Sequence, residues 1–158
     1  MRSSPAHSQG AEGALAAIWR DSGFRPRRLT LEVTEQTLID DVSLSAKTMA
    51  EFGAQGIRIA LDDFGAGFCN FRYLKILPLH YLNLDRSMIE GVTSDKRDVA
   101  VLRAIVAMAR ALDLKVIAEG IEDEEQRLVA AREGCTYFQG FLRAQPMSAA
   151  MFMELASI

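Results

Sequence analysis

Apolar and polar positions along the chain switch repeatedly between a two-residue period and a helical period. LTLEVTE at 29–35 alternates apolar and polar residues and is rich in Thr and Val, which predicts a strand. Further strands are predicted at 57–64 (IRIALDDF), 79–85 (LHYLNLD), 115–120 (KVIAEG) and, as a short last strand, 136–141 (TYFQGF).

The segments around these strands have a helical period. Helices are predicted over 14–22, 42–55, 95–114, 122–134 and 148–158, the last capped by Ser148. In the long helix over 95–114, one face carries Val99, Leu102, Ile105, Val106 and Ala109. Strand and helix alternate about five times, which predicts right-handed βαβ units, a parallel sheet and an α/β fold.

Polar residues follow the apolar part of each predicted strand. They are Glu32 and Glu35, Asp62 and Asp63, Asn83 and Asp85, Glu119 and Glu122, and Gln139. In α/β barrels and open α/β sheets, the carboxyl ends of the strands carry the ligand site. A single acid there often caps a helix or faces water, but acids after four consecutive strands indicate a site.

Composition limits the class of protein. With 158 residues, 49% of them hydrophobic and 25% charged, the chain suits one domain, which we place at 14–158 after a flexible segment at 1–13. The net charge of −3 argues against a nucleic-acid-binding surface. No apolar run approaches the roughly 18 residues that cross a bilayer. Cys69 and Cys135 lack metal-type spacing, so we expect a reduced, cytoplasmic protein.

Converging carboxylates repel one another unless cations neutralise them. Oxygen ligands suit Mg²⁺ or Mn²⁺, whereas zinc prefers His and Cys. His7 lies in the N-terminal segment and His80 precedes a strand, so neither is expected to be a ligand. No P-loop pattern is present. Metal-assisted hydrolysis of a phosphate ester is the chemistry that these residue types allow.

Five motifs occur in the order and spacing of a known family. They are LEVTE (31–35), LDDFGAGF (61–68), YLNLDRSMI (81–89), VIAEGIED (116–123) and FQGFLRAQP (138–146). The chain resembles the EAL family of bacterial phosphodiesterases, which use Mg²⁺ or Mn²⁺ to open cyclic di-GMP to linear pGpG. The resemblance covers about 14–157 and implies the C-terminal part, about five β/α units, of a TIM-like (β/α)8 barrel.

The resemblance also implies roles for the strand-end residues. Glu32 resembles a metal ligand, Asp62 the carboxylate that bridges two metals, and Asp63 a ligand of the second metal. Glu119 is similar to the glutamate that binds metal and helps to activate the attacking water. Asp85 is a further possible site residue.

Other matches concern the edge of the site. Glu122 and Gln139 match residues that line it, and Glu35 resembles the glutamate that orders the loop after the Asp pair, here about 63–73. Gly65 and Gly67 are expected to give this loop positive φ angles and mobility. In the family, that loop links catalysis to dimerisation.

Two departures from the family pattern predict impaired activity. The family has a lysine, which contacts the catalytic water and the phosphate, where this chain has Asn83. Losing such an electrostatic contact costs roughly 10²- to 10³-fold in rate. The Glu-Ala-Leu signature, its associated arginine and a metal-binding asparagine are not found in this sequence. We therefore expect a partial EAL domain that is completed by a second copy or by an N-terminal barrel segment.

Two functions are compatible with these residues. One is a cyclic di-GMP phosphodiesterase that is impaired as it stands. The other is a non-catalytic module that binds cyclic di-GMP or a protein partner and regulates it. Phe64, Phe68 and Phe71 could stack on guanine or pack the loop, and we favour packing. Cys69 could have a redox role.

Overall fold

The structure is a computed structural model that describes residues 23, 25–34, 42–67 and 71–157. The predicted segment at 1–13 and the predicted helix at 14–22 lie outside the described residues, as do Glu35, Phe68 and Cys69. Within the described part, no helix combines the length and apolar character needed to cross a lipid bilayer.

Strands and helices alternate through the described part of the chain. In order they are β1 (Thr30–Thr34), α1 (Val42–Ala54), β2 (Arg58–Phe64), α2 (Phe71–Ile76), β3 (Tyr81–Leu84), α3 (Lys96–Ala111), β4 (Lys115–Ala118), α4 (Glu124–Glu133), β5 (Tyr137–Phe138) and α5 (Ala149–Ala156). The strands form one sheet in the order β1-β2-β3-β4-β5, and every pair is parallel. The predicted parallel α/β fold is therefore confirmed.

One face of the sheet forms the hydrophobic core. Leu61, Leu82 and Leu84 on the central strands are fully buried and pack with apolar residues of the helices. On α3, Leu102, Val106 and Ala109 are buried, while Val99 and Ile105 pack against the core at its margin. The predicted inner face of this helix is confirmed.

The other face of the sheet carries the polar residues of the strand ends. Because side chains alternate along a strand, Glu32 and Asp62 point away from the leucines that fill the core. Register places Asn83 beside Ile117 of β4, two residues before Glu119. Beneath these residues, the phenol of Tyr81 accepts a hydrogen bond from Arg58, and its ring lies 6.1 Å from that of Tyr137.

Local chemistry fixes the ends of several helices. Ser148 caps α5, as predicted, by accepting a hydrogen bond from the Met151 N–H. Asp123 and Gln126 form a capping box at the start of α4, which ends at Gly134 with a φ of 103°. Only a residue that tolerates the left-handed region ends a helix in this way, and glycine does so without steric cost.

Periodicity did not predict the helix α2. Its first residues lie in the segment at about 63–73 that was expected to be a loop. It has six residues, too few to show a helical period, but it buries Tyr73 and Leu74. The strand after it begins at Tyr81 and not at Leu79. His80 Nδ1 accepts a hydrogen bond from the Ile59 N–H at 3.2 Å, which gives this histidine a structural contact.

We predict that Leu102→Ala lowers the free energy of unfolding by about 2–5 kcal/mol, because it leaves a cavity under the sheet. Val101→Ala is the matched control, since Val101 is 47% exposed on the same helix. It should change stability by no more than about 0.5 kcal/mol. Urea denaturation measures both, and equal losses would contradict this packing of α3.

Candidate functional site

Asn83 on β3 lies at the centre of an acidic cluster. Its Nδ2 donates to Glu32 Oε1 at 3.3 Å, to Asp62 Oδ1 at 3.1 Å and to Glu119 Oε1 at 3.0 Å. The side chain is buried, with 1% of its surface exposed, and its Oδ1 has no hydrogen-bond partner. One amide therefore holds carboxylates from β1, β2 and the residue after β4.

Parallel pairing brings these carboxylates to one edge. Thr34 is paired with Asp62, so the end of β1 lies beside the end of β2. The Glu119 N–H donates to Leu84 O at 3.1 Å, which continues the β3–β4 ladder one residue past β4. The sequence-based expectation that these side chains converge is thus met for Glu32, Asp62, Asn83 and Glu119.

The Asp62–Asp63 pair occupies an irregularity in β2. The register between β2 and β3 shifts between Leu61 and Phe64, and Asp63 has a φ of 55°. In a regular strand the two carboxylates would point to opposite faces. A bulge changes the direction of the side chains, and a non-glycine residue in the left-handed region is a strained conformation typical of functional sites.

Burial and like charges act together on Glu119. Burial is the main cause that raises the pKa of its carboxyl to about 7, and the charges of Asp62, Glu32 and Asp63 raise it further. The hydrogen bond from Asn83 opposes this shift. The charge of Asp63 therefore reaches the cluster, although its side chain is exposed. Near neutral pH, Glu119 is poised between its acid and its base form.

The other described site residues that the sequence predicted have contacts of their own. Asp85 accepts hydrogen bonds from Ser87 N and Oγ at 3.0 and 2.6 Å, which lower its pKa and cap the 3₁₀ turn Arg86–Met88. Glu122 forms an ion pair with Arg86 at 2.8 Å. Gln139 lines an open cavity of about 530 Å³ together with Arg127 and Arg143.

The turn at 65–67 has the expected positive φ at one of its two glycines and not at the other. Gly65 has the expected positive φ, at 106°, and a Cβ there would lie 2.4 Å from Met88 Cγ. Gly67 does not have a positive φ, and it has open space around it, so the conformational requirement falls on Gly65 alone. Phe64 is buried and meets Phe71 edge to face at 6.0 Å, so its packing role is confirmed.

Arg86 is a residue near the site that sequence reasoning missed. Besides Glu122 it pairs with Glu90 at 2.7 Å, and these two partners raise the pKa of its guanidinium. Its stem packs where a Cβ on Gly120 would lie, 2.6 Å from Arg86 Cγ. The pairing with Glu90 has the i,i+4 spacing that a sequence can show, but the contact with Glu122 is long-range.

The donor set fits a divalent cation in its chemistry. Glu32, Asp62, Asp63 and Glu119 offer only oxygen, which Mg²⁺ and Mn²⁺ prefer. Among the described residues, however, no three His, Cys, Asp or Glu side chains are gathered closely enough to hold a metal ion. The three carboxylates are instead arranged around the Asn83 amide, whose Oδ1 is buried and has no hydrogen-bond partner.

A parallel α/β sheet with helices on one face and clustered carboxylates at the strand ends defines part of a TIM-like barrel with a strand-end site. The family model described as "EAL domain" matches residues 1–146. The chain therefore belongs to the EAL domain family.

Relatives and solved structures agree with this assignment. The bifunctional diguanylate cyclase/cyclic di-GMP phosphodiesterase MucR of Pseudomonas aeruginosa is 41% identical over 144 residues, which are 91% of this chain and 21% of MucR. The PaMucR phosphodiesterase in complex with c-di-GMP aligns with a TM-score of 0.81 and 38% identity, over 89% of this chain and 57% of that chain.

A complex that contains metal is also similar. BlrP1 of Klebsiella pneumoniae, solved with manganese and cy-diGMP, aligns with a TM-score of 0.74 and 27% identity, over 88% of this chain and 34% of that chain. The chain thus spans about a fifth of MucR and little more than half of the PaMucR chain that it matches.

In metal-free buffer, we predict that the free energy of unfolding falls as the pH rises from about 5 to about 7. The folded carboxyl of Glu119 keeps its proton up to about pH 7, above the ordinary value of 4.5, so in this window the folded state binds the extra proton. Glu119→Gln should flatten this slope, as measured by urea denaturation at several pH values.

The control for this measurement is Glu125→Gln, which removes an exposed carboxylate on α4. It should keep the slope of the unmodified protein. An unchanged slope in Glu119→Gln would show that the carboxylate cluster does not raise the pKa of Glu119.

Proposed function

We propose that this chain provides the catalytic edge of an EAL-type phosphodiesterase that hydrolyses cyclic di-GMP to pGpG. The observation that carries the proposal is the convergence of Glu32 on β1, Asp62 on β2 and Glu119 just after β4 on Asn83 of β3. The family membership and the c-di-GMP complex of PaMucR support the same substrate.

Each carboxylate has a role in this proposal. Glu32, Asp62 and Asp63 hold Mg²⁺ or Mn²⁺, with Glu119 completing the set. Bound there, divalent cations lower the pKa of water and neutralise charge on the phosphodiester. Glu119, in its ionised form, accepts a proton from the attacking water. Glu122 and Gln139 border the substrate.

Asn83 makes the proposed enzyme slow. Its amide is neutral and short, so it cannot bring positive charge to the phosphate as the family lysine does. A neutral amide also contributes no positive charge to offset the carboxylates towards an anionic substrate. We therefore infer a rate roughly 10²- to 10³-fold below that of the same site with a lysine.

The proposal includes a partner for the sheet. In the described residues β1 and β5 are the edge strands of a five-stranded sheet, whereas a (β/α)8 barrel has eight strands. An N-terminal barrel segment or a second copy of the chain would pair with these edges, and we place the assembly in the cytoplasm. Unpaired edges in soluble proteins tend to recruit further strands.

A second candidate function is a non-catalytic module that binds cyclic di-GMP or a protein partner. The neutral Asn83 in the middle of the cluster favours it, because binding needs no positive charge at the reacting phosphate. Both candidates use the same strand-end site, and turnover separates them.

The test is formation of pGpG from cyclic di-GMP in Mn²⁺, measured for the unmodified chain, for Asn83→Lys and for Asn83→Lys combined with Glu119→Gln. Each is also measured after N-terminal extension with the preceding barrel strands of MucR. We expect slow turnover by the extended chain, a gain of roughly 10²-fold or more with Asn83→Lys, and loss of that gain with Glu119→Gln.

The outcomes separate the candidates. Turnover by the unmodified chain equal to that of Asn83→Lys would contradict the inferred impairment. Saturable binding of cyclic di-GMP without turnover by any version would favour the non-catalytic module. Neither binding nor turnover in the extended versions would contradict both.

A further inference from the structure

The hydrogen bonding of the Asn83 amide is unbalanced at its nitrogen and at its oxygen. Its NH2 group carries two hydrogens but faces three carboxylate oxygens, so it cannot give each carboxylate a hydrogen of its own. Its Oδ1 is buried without a partner. A buried carbonyl oxygen of this kind costs free energy unless something pairs with it.

The distances from the Asn83 amide to the three carboxylate oxygens are close to those between neighbouring ligands of a small divalent cation. Oxygens that bind Mg²⁺ at about 2.0–2.1 Å in an octahedron lie about 3 Å from their neighbours. The terminal nitrogen of Asn83 lies 3.0, 3.1 and 3.3 Å from the oxygens of Glu119, Asp62 and Glu32. Rotation of the amide by a half-turn would place its oxygen at about these distances from the three carboxylate oxygens.

We propose that Asn83 is itself a cation ligand, through Oδ1, in the metal-bound form of this chain. Without metal its NH2 group faces the carboxylates, and with Mg²⁺ or Mn²⁺ the amide turns so that its oxygen joins them. The turn is accessible because the terminal torsion of asparagine has a broad, roughly two-fold preference. The inference rests on the proposed use of a divalent cation but not on turnover.

This ligand role adds an oxygen donor to the acids at the strand ends. Among the described residues, no three His, Cys, Asp or Glu side chains form a group that could hold a metal ion. The Asn83 oxygen is a donor of another type beside them. Asn83 is the polar side chain that contacts Glu32, Asp62 and Glu119 together. A lysine at this position carries positive charge and no acceptor, so it cannot take this role.

The alternative is that Asn83 only donates hydrogen bonds, and the two roles predict opposite effects of Asn83→Leu. Leucine has a similar size but no polar atom. If Asn83 only donates, its removal leaves the carboxylates less compensated, and cation affinity stays equal or rises. If Asn83 is a ligand, affinity falls by about tenfold or more, because even residues that merely support a ligand contribute 10- to 100-fold.

The first measurement is the free Mn²⁺ signal in electron paramagnetic resonance, titrated with the unmodified chain, Asn83→Leu and Gln126→Leu. Gln126→Leu is the matched control, since it also removes a buried amide, one that bonds the backbone of Glu122 and Asp123. We expect a weaker Mn²⁺ affinity in Asn83→Leu alone. Equal or tighter binding by Asn83→Leu, or no Mn²⁺ binding by the unmodified chain, would overturn the proposal.

The second measurement needs no variant and therefore does not depend on the fold of Asn83→Leu. The chain contains two asparagines, Asn70 and Asn83, so labelling asparagine with ¹³C at the side-chain carbonyl gives two resonances. Titration with Mg²⁺ should move the Asn83 resonance downfield and saturate, because coordination polarises the carbonyl. An unmoved Asn83 carbonyl at a Mg²⁺ concentration that shifts the Glu119 carboxyl would overturn the ligand role.

These readouts are independent of the phosphodiesterase assay. Mn²⁺ binding that depends on Asn83, without hydrolysis of cyclic di-GMP, would support the ligand role while the proposed function fails. Hydrolysis together with unchanged Mn²⁺ binding by Asn83→Leu would leave the proposed function standing and overturn the ligand role.

Discussion

The repulsion among carboxylates at the strand ends is the constraint on which the site depends. Parallel pairing brings Glu32, Asp62 and Glu119 to one edge, where the neutral amide of Asn83 donates to all three. Burial, and then the charges of the neighbouring carboxylates, raise the pKa of Glu119. A buried cluster of this kind is stable only if protons, cations or hydrogen-bond donors compensate its charge. The raised pKa of Glu119 and the Asn83 amide supply the first and the third.

The remaining structure holds this arrangement in place. Leucines on the opposite face of the same strands fill the core, so the register that buries them also fixes the direction of the acids. The bulge and the left-handed Asp63 add a local strain that the surrounding sheet maintains. Arg86, between Glu90 and Glu122, ties the turn after β3 to the segment after β4. These contacts pre-form the site before any ligand arrives.

Periodicity was sufficient for the strands, the parallel sheet and the inner face of α3, because each depends on which residues avoid water. It failed for α2, which is shorter than two helical turns and gives no repeat. The convergence of acids could be predicted from their positions at strand ends, and the ordered motifs identified the family. The position of the Asn83 amide among three carboxylates could not, since it depends on the register of four strands. The positive φ expected for Gly67 was wrong, because Gly65 alone makes the tight turn.

The central claim is that carboxylates and the Asn83 amide together form a cation site at the carboxyl edge of the sheet. Crystals grown with Mn²⁺ and measured above its absorption edge test this most directly, since the anomalous difference map locates the ion without assumptions about the protein. The account predicts a peak bounded by Glu32, Asp62 and Glu119, with the side-chain oxygen of Asn83 turned towards it. A map without a peak there, or a peak with the Asn83 NH2 still donating to all three carboxylates, would contradict it.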